Sequence, residues 1–239
     1  MLSLIAATIF AANKGTVVMI HGAGGGGWEY DKWKPVFERA GWRVVNRDLV
    51  PVEGGYEQTT LVDYIQQVIT WTPTSGRVVF IGASMGGALA LKANEIRPAK
   101  AVVLVDSVAP KGIGPKRTAK PNPPVVKWAN GPLKDTEDAM PDSDRKTILW
   151  AWKLWRDESG KVMDSLRAGV ECEKPKCPTL VVLGEADKDI PHKTGLALAK
   201  WAHASVKSYP KMSHVGPLMS TKAEKVAQYI CSWLDRKVR

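Results

Sequence analysis

The stretch Arg77-Val78-Val79-Phe80-Ile81-Gly82-Ala83-Ser84-Met85-Gly86-Gly87-Ala88-Leu89-Ala90-Leu91 joins an apolar run of strand length to a helical run through a glycine-rich turn centred on Ser84. The junction reads as a sharp strand-to-helix elbow, because glycines on either side of the serine remove side chains that would collide in such a turn. In that geometry the hydroxyl stands clear of the sheet. The first N–H groups of the helix that follows have no intrahelical acceptor, so they can face a developing negative charge. A Gly-x-Ser-x-Gly match is short by itself. The buried-type strand before it and the helix after it are the context that gives it chemical meaning.

Outward from this elbow, short apolar runs alternate with longer helical patterns, the signature of parallel β-α-β units. Strands are expected at 16–20, 42–46, 77–81, 101–105, 179–183 and 205–209, and helices at 32–40, 61–70, 88–96, 193–202 and 221–236. The strands are rich in Val, Ile and Leu rather than alternating, so both sheet faces should be covered. The expected fold is α/β: a three-layer α/β/α sandwich with a mostly parallel sheet.

One interval breaks the rhythm. Between about 107 and 176 no strand is evident, and the segment opens with Pro110, Gly112, Gly114, Pro115, Pro121, Pro123 and Pro124. So long an irregular stretch inside a domain should carry its own function. Its second half, 142–156, has a helix start at Asp142-Ser143-Asp144 and carries Trp150, Trp152 and Trp155. The interval reads as a small helical lid inserted after the fourth predicted strand, with Trp150 and Trp152 expected to face a substrate.

A chain of 239 residues, 44% hydrophobic and 24% charged, suits one domain over 13–239. The formal charge of +10 comes from scattered Lys and Arg without a nucleic-acid motif, so a solvated basic surface is expected, and no nucleic-acid partner. Residues 1–12 are apolar and uncharged, too short to span a bilayer. They read as an export leader or as an extra edge strand, with the balance toward export and against stable membrane insertion. Cys172, Cys177 and Cys231 are too few and too irregular for a zinc site. Cys172 and Cys177 could bridge a small loop or stay reduced.

A serine hydroxyl needs a neighbouring base, and the base needs a group to orient it. Among four histidines, His214 follows the last predicted strand by a few residues and would reach over the carboxyl edge of the sheet, where parallel sheets place their sites. The segment Leu183-Gly184-Glu185-Ala186-Asp187-Lys188-Asp189 supplies the acid, with Asp187 as first choice. Asp189 reads as a brace, and Asp106 is the rival acid. An oxyanion hole would take one N–H from Met85 and a second from the loop His21-Gly22-Ala23-Gly24-Gly25-Gly26-Gly27-Trp28. Ala23 is the expected donor, Gly24 the alternative, and Gly22 and Gly24 are expected beside the substrate. The loop lacks the Lys-Ser/Thr ending of a phosphate-binding loop and the spacing of a dinucleotide fingerprint.

His21-Gly22, the Ser84 elbow, the Gly184-x-x-Asp187 turn and Ser213-His214 together resemble the α/β-hydrolase superfamily over about 15–234. Within it the chain looks most like the small lidded esterases and hydroxynitrile-lyase-like enzymes, on the pattern from Trp28 to Leu49 and on Val105-Asp106-Ser107-Val108-Ala109-Pro110. It departs from them in lacking a Gly-x-Gly-x-Ser turn after Asp48 and in carrying Ser213 before the histidine. The resemblance implies a serine hydrolase cleaving small or medium acyl esters through an acyl-enzyme, with no metal or cofactor and a small-molecule ester as partner. Perhydrolase, C–C bond hydrolase and hydroxynitrile lyase activities, or ligand binding without turnover, are the alternatives on the same triad.

Overall fold

Six parallel strands make the central sheet of the computed structural model, which describes residues 13–114 and 120–238. In chain order the elements are β1 (Thr16–Ile20), α1 (Lys34–Arg39), β2 (Arg43–Val45), α2 (Leu61–Trp71), β3 (Val78–Ala83), α3 (Met85–Ile96) and β4 (Ala101–Val105). An insertion follows, made of β5 (Val125–Val126), α4 (Leu133–Ala139), α5 (Arg145–Trp152), β6 (Glu158–Ser159) and α6 (Gly160–Ala168). The chain then returns to the sheet with β7 (Thr179–Gly184), α7 (His192–Trp201), β8 (Ser205–Tyr209), α8 (Gly216–Met219) and α9 (Ala223–Lys237).

The strand order is β2-β1-β3-β4-β7-β8, with every neighbouring pair parallel. Strands β1, β3, β4 and β7 are buried along their whole length, whereas the edge strands β2 and β8 are partly exposed. Successive side chains of a strand point to opposite faces. Val17, Met19, Val79, Ile81, Val103 and Val182 therefore pack with Trp33, Phe37, Val226 and Ile230 of the α1/α9 layer. Val18, Ile20, Phe80, Val102, Leu104 and Val181 pack with Tyr64, Val68, Leu89 and Leu198 of α2, α3 and α7. Burial of each large side chain stabilises by about 1.5–3 kcal/mol, and because both faces are covered the fold is a three-layer α/β/α sandwich.

The chain leaves β1 toward β2 on one side and comes back to β3 on the other, so the strand order reverses between β1 and β3. Ligands in open parallel sheets sit outside the carboxyl ends at such a switch point. Here those ends carry the His21–Trp28 loop and Ser84.

The insertion departs from expectation. It contains an antiparallel two-residue ribbon, Val125 opposite Ser159 and Val126 opposite Glu158, and three helices rather than one. Helix α4 buries only Thr136, and α6 buries Gly160, Val162 and Leu166, too little apolar periodicity to stand out in sequence. Helix α5 does begin where the Asp-Ser-Asp signal stands. Asp144 is its cap, accepting the Thr147 N–H at 2.8 Å, while Asp142 holds the N–H and hydroxyl of Ser213. Helix α3 starts at Met85, immediately after the elbow, instead of at 88. Cys172, Cys177 and Cys231 are free thiols. The leader or edge strand expected at 1–12 lies outside the described residues. Among the described residues no helix is long and apolar enough to cross a membrane.

Candidate active site

Ser84 sits between β3 and α3 at φ 51°, ψ −118°, a conformation that costs a non-glycine residue about 1–3 kcal/mol and persists only where its surroundings impose it. Its N–H donates to the Val105 carbonyl at 3.0 Å, and its own carbonyl accepts from Val108 and Gly87. The flanking glycines are required by close approach. A Cβ on Gly82 would lie 2.0 Å from the Gly86 carbonyl oxygen, and one on Gly86 would lie 2.1 Å from that of Ile20.

The loop after β8 and the turn after β7 bring His214 and Asp187 together, Nδ1 to Oδ2 at 2.7 Å. The other oxygen of Asp187 accepts the N–H groups of Asp189 and Ile190, at 2.7 and 2.9 Å. With both oxygens of this buried carboxylate engaged, the His214 ring is held in one orientation and Nε2 remains to face a substrate. Burial works against the imidazolium, but the Asp187 hydrogen bond and charge outweigh it and hold the His214 pKa above 6.5.

Asp106, at the end of β4, is the second carboxyl here. Its Oδ1 accepts the Gly184 N–H at 2.8 Å, and its Oδ2 has no partner among the described residues. Burial, then the adjacent Asp187 charge, raise its pKa well above the ordinary carboxylate range. Asp106, Asp187 and His214 offer polar atoms within 4.8 Å of one another, the one group of metal-type donors among the described residues. Two of the three are already bonded to each other.

The glycine loop resolves less simply. Ala23 and Met85 line the same cavity as Ser84 and His214, and among the described residues neither N–H has a hydrogen-bond partner. Gly22 also lines it, its N–H donating to Glu29 Oε2 at 3.1 Å. Gly24 does not line it. Its N–H is committed to Glu158 Oε2 at 3.2 Å, which removes it as the alternative oxyanion donor, and Trp128 packs where a side chain would be. His21 is buried and neutral, its pKa lowered by burial to about 4. Its Nε2 accepts the Leu49 N–H at 2.8 Å, so Nδ1 carries the proton and donates to the Gly22 carbonyl at 2.7 Å. That carbonyl shares a peptide plane with the Ala23 N–H, which consequently points the opposite way.

The cavity measures about 1290 Å³. Trp152 lines it, as expected, but Trp150 does not. Positions two apart on a helix lie some 200° apart around its axis, so both rings cannot face one space. Trp150 instead is 38% exposed and meets the edge of Trp28 at 5.3 Å. Trp128 and Trp155 complete the aromatic wall. Asp189 also lines the cavity, its N–H bracing Asp187.

Sequence reading missed Glu29, a buried carboxyl that lines the cavity and whose pKa burial pushes up to about 7. The available signal was an acid between two aromatics, Trp28 and Tyr30, directly after the glycine run.

Residues 17–229 match the family model described as the alpha/beta hydrolase family, and the chain belongs to that family. A curated relative, norfluorocurarine synthase 1 from Strychnos sp, is 33% identical over 156 residues, which is 57% of this chain and 56% of that protein. The chain thus spans about half the length of the curated relative it matches. Among solved structures, a pyrethroid hydrolase from Sphingobium faniae JZ-2 superposes with a TM-score of 0.74 at 21% identity, covering 92% of this chain and 97% of that one. Tomato methylketone synthase I superposes at 0.72 and 17% identity, covering 93% and 98%. A methylesterase from Arabidopsis does so at 0.68 and 14%, covering 92% and 99%. At these identities the structural likeness is one of fold.

Proposed function

We propose that this protein is a serine carboxylesterase whose nucleophile is Ser84, whose base is His214 and whose orienting acid is Asp187. The observation that carries the reading is the Asp187-bonded imidazole opening into the same cavity as a serine in a strained elbow. In this mechanism Ser84 Oγ attacks the ester carbonyl while His214 Nε2 takes its proton. The tetrahedral oxyanion is held by the N–H groups of Ala23 and Met85, each contributing about 3–4 kcal/mol to the barrier reduction. Collapse releases the alcohol, protonated by His214, and leaves an acyl-enzyme. Water, deprotonated by His214, then attacks the acyl carbon and frees the acid.

The cavity argues for bulkier substrates than the small and medium esters expected from sequence. Ligand pockets commonly run to about 300–1,000 Å³, and this one, at about 1290 Å³ with Trp128, Trp152, Trp155, Met163 and Leu166 in its wall, suits a large apolar or aromatic ester. A panel of aryl esters from acetate to long-chain and polycyclic acyl groups tests both points. Hydrolysis with kcat/KM rising toward the bulky members is the expected result; no turnover of any ester would sink the esterase reading, and a preference for acetate the size argument.

The pH dependence follows from His214. The base works only when neutral, and its pKa lies above 6.5, so kcat/KM should climb through an ascending limb centred above 6.5. Glu29, at about 7, titrates in the same window. The Glu29→Gln variant should therefore retain an ascending limb that belongs to His214 alone. A profile in which that variant is flat from pH 5 to 9 would remove His214 as the base.

A further inference from the structure

Four successive glycines, Gly24 to Gly27, follow the Ala23 donor. A glycine chain has no side chains with which to fix its own backbone and loses more conformational freedom on ordering than any other. Its anchors must come from elsewhere, and the tripeptide Arg156-Asp157-Glu158, at the entry to β6 in the insertion, supplies those of Gly24 and of the Gly25 carbonyl.

The Arg156 N–H donates to the Gly24 carbonyl at 2.7 Å, and its Nε to the Gly25 carbonyl at 2.7 Å, with Nη2 on that same carbonyl. Nη1 donates to the Leu49 carbonyl at 3.1 Å, and Nη2 lies 3.3 Å from His21 Nε2. The guanidinium has only donors, so with the Leu49 N–H it keeps His21 Nε2 an acceptor and the ring proton on Nδ1. That proton is the one bonded to the Gly22 carbonyl, whose peptide carries the Ala23 N–H. Glu158 is 3% exposed. Its Oε2 accepts the Gly24 N–H, and its Oε1 accepts the Tyr64 hydroxyl at 2.8 Å and the Ser159 N–H at 2.7 Å. Asp157, between them, holds the N–H groups of Trp128 and Ala129, so the same tripeptide seats the cavity wall that packs on Gly24.

The geometry points to Arg156 and Glu158 as positioning residues for the oxyanion hole: the insertion clasps the glycine loop on both sides of its backbone and so aims the Ala23 N–H at the reacting carbonyl. This rests on the serine-esterase reading above. Neither residue touches the substrate in this scheme. Each acts through the orientation of one peptide, and the insertion that walls the cavity is thereby part of the catalytic geometry.

Glu158→Gln and Arg156→Lys test it. In the first, the amide oxygen can keep the Tyr64 and Ser159 donors only by turning its NH₂ toward the Gly24 N–H, donor against donor. The second loses the fork that spans the Gly25 carbonyl and His21. Aryl ester kinetics and inhibition by an aryl trifluoromethyl ketone, whose serine adduct places an oxyanion in the hole, are measured alongside thermal melts. Both variants should lose kcat by about ten- to a hundredfold, less than outright removal of a donor, with KM within about twofold of wild type. The ketone's affinity should fall by the same factor as kcat/KM. Tyr64→Phe removes the hydroxyl partner of Glu158 Oε1 while leaving the Gly24 N–H bond, and should lower the melting temperature without moving the ratio of ketone affinity to KM.

A loss confined to melting temperature in Glu158→Gln and Arg156→Lys, or one carried by KM alone, overturns the positioning role while leaving the esterase reading intact. Wild-type protein that hydrolyses no ester and ignores the ketone overturns both.

Discussion

Replacing Ser84 with alanine is expected to lower kcat for the best ester of the panel by about 10⁶-fold, roughly 8 kcal/mol of transition-state stabilisation. Few substitutions separate chemistry from folding so cleanly. Alanine carries the same Cβ as serine, so the strain at φ 51° and the backbone bonds to Val105, Val108 and Gly87 are kept. The cavity loses one oxygen and nothing else. Hydrolysis should fall to the level left by the oxyanion donors and binding alone, and covalent labelling by a fluorophosphonate should vanish while the melting temperature stays put. Wild-type rates from Ser84→Ala would mean that the elbow is only a tight turn.

The second large effect separates two carboxyls that sequence could not rank by geometry. Asp187→Asn is expected to reduce kcat by about 10⁴-fold, because an amide at that position no longer stabilises the imidazolium and can select the wrong tautomer. Asp106→Asn should cost no more than about tenfold, since His214 bonds Asp187 instead and an asparagine carbonyl oxygen can still accept the Gly184 N–H. The asymmetry rests on two facts. His214 Nδ1 lies 2.7 Å from Asp187 Oδ2, and the other Asp187 oxygen is fixed by the Asp189 and Ile190 N–H groups. A large loss in Asp106→Asn with a small one in Asp187→Asn would exchange their roles.

What was legible in the sequence shares a physical origin: it was local. The Ser84 elbow announced itself through glycines whose absent side chains are needed within 2.1 Å of neighbouring carbonyls. The sheet strands announced themselves through continuous apolar runs, because a parallel strand buried on both faces has no polar side to display. Trp152 and Trp150 mark where this kind of reading stops. Composition placed aromatics in the insertion, but only the phase of α5 against the cavity separates the ring that lines it from the ring that meets Trp28. Gly24 likewise looked as free as Ala23 until Glu158, 134 positions later, took its N–H.

By itself, then, the chain determined its layered architecture, its elbow and the placing of Ser84, Asp187 and His214 after the third, fifth and sixth strands of the sheet, because each depends on residues adjacent in sequence. Tertiary structure decided that Glu158 takes the Gly24 N–H, that Asp106 is buried with one oxygen unpartnered among the described residues, and that Glu29 enters the cavity. Each of those is an outcome of desolvation and of partners far apart in the chain, and burial has no local signature in a sequence.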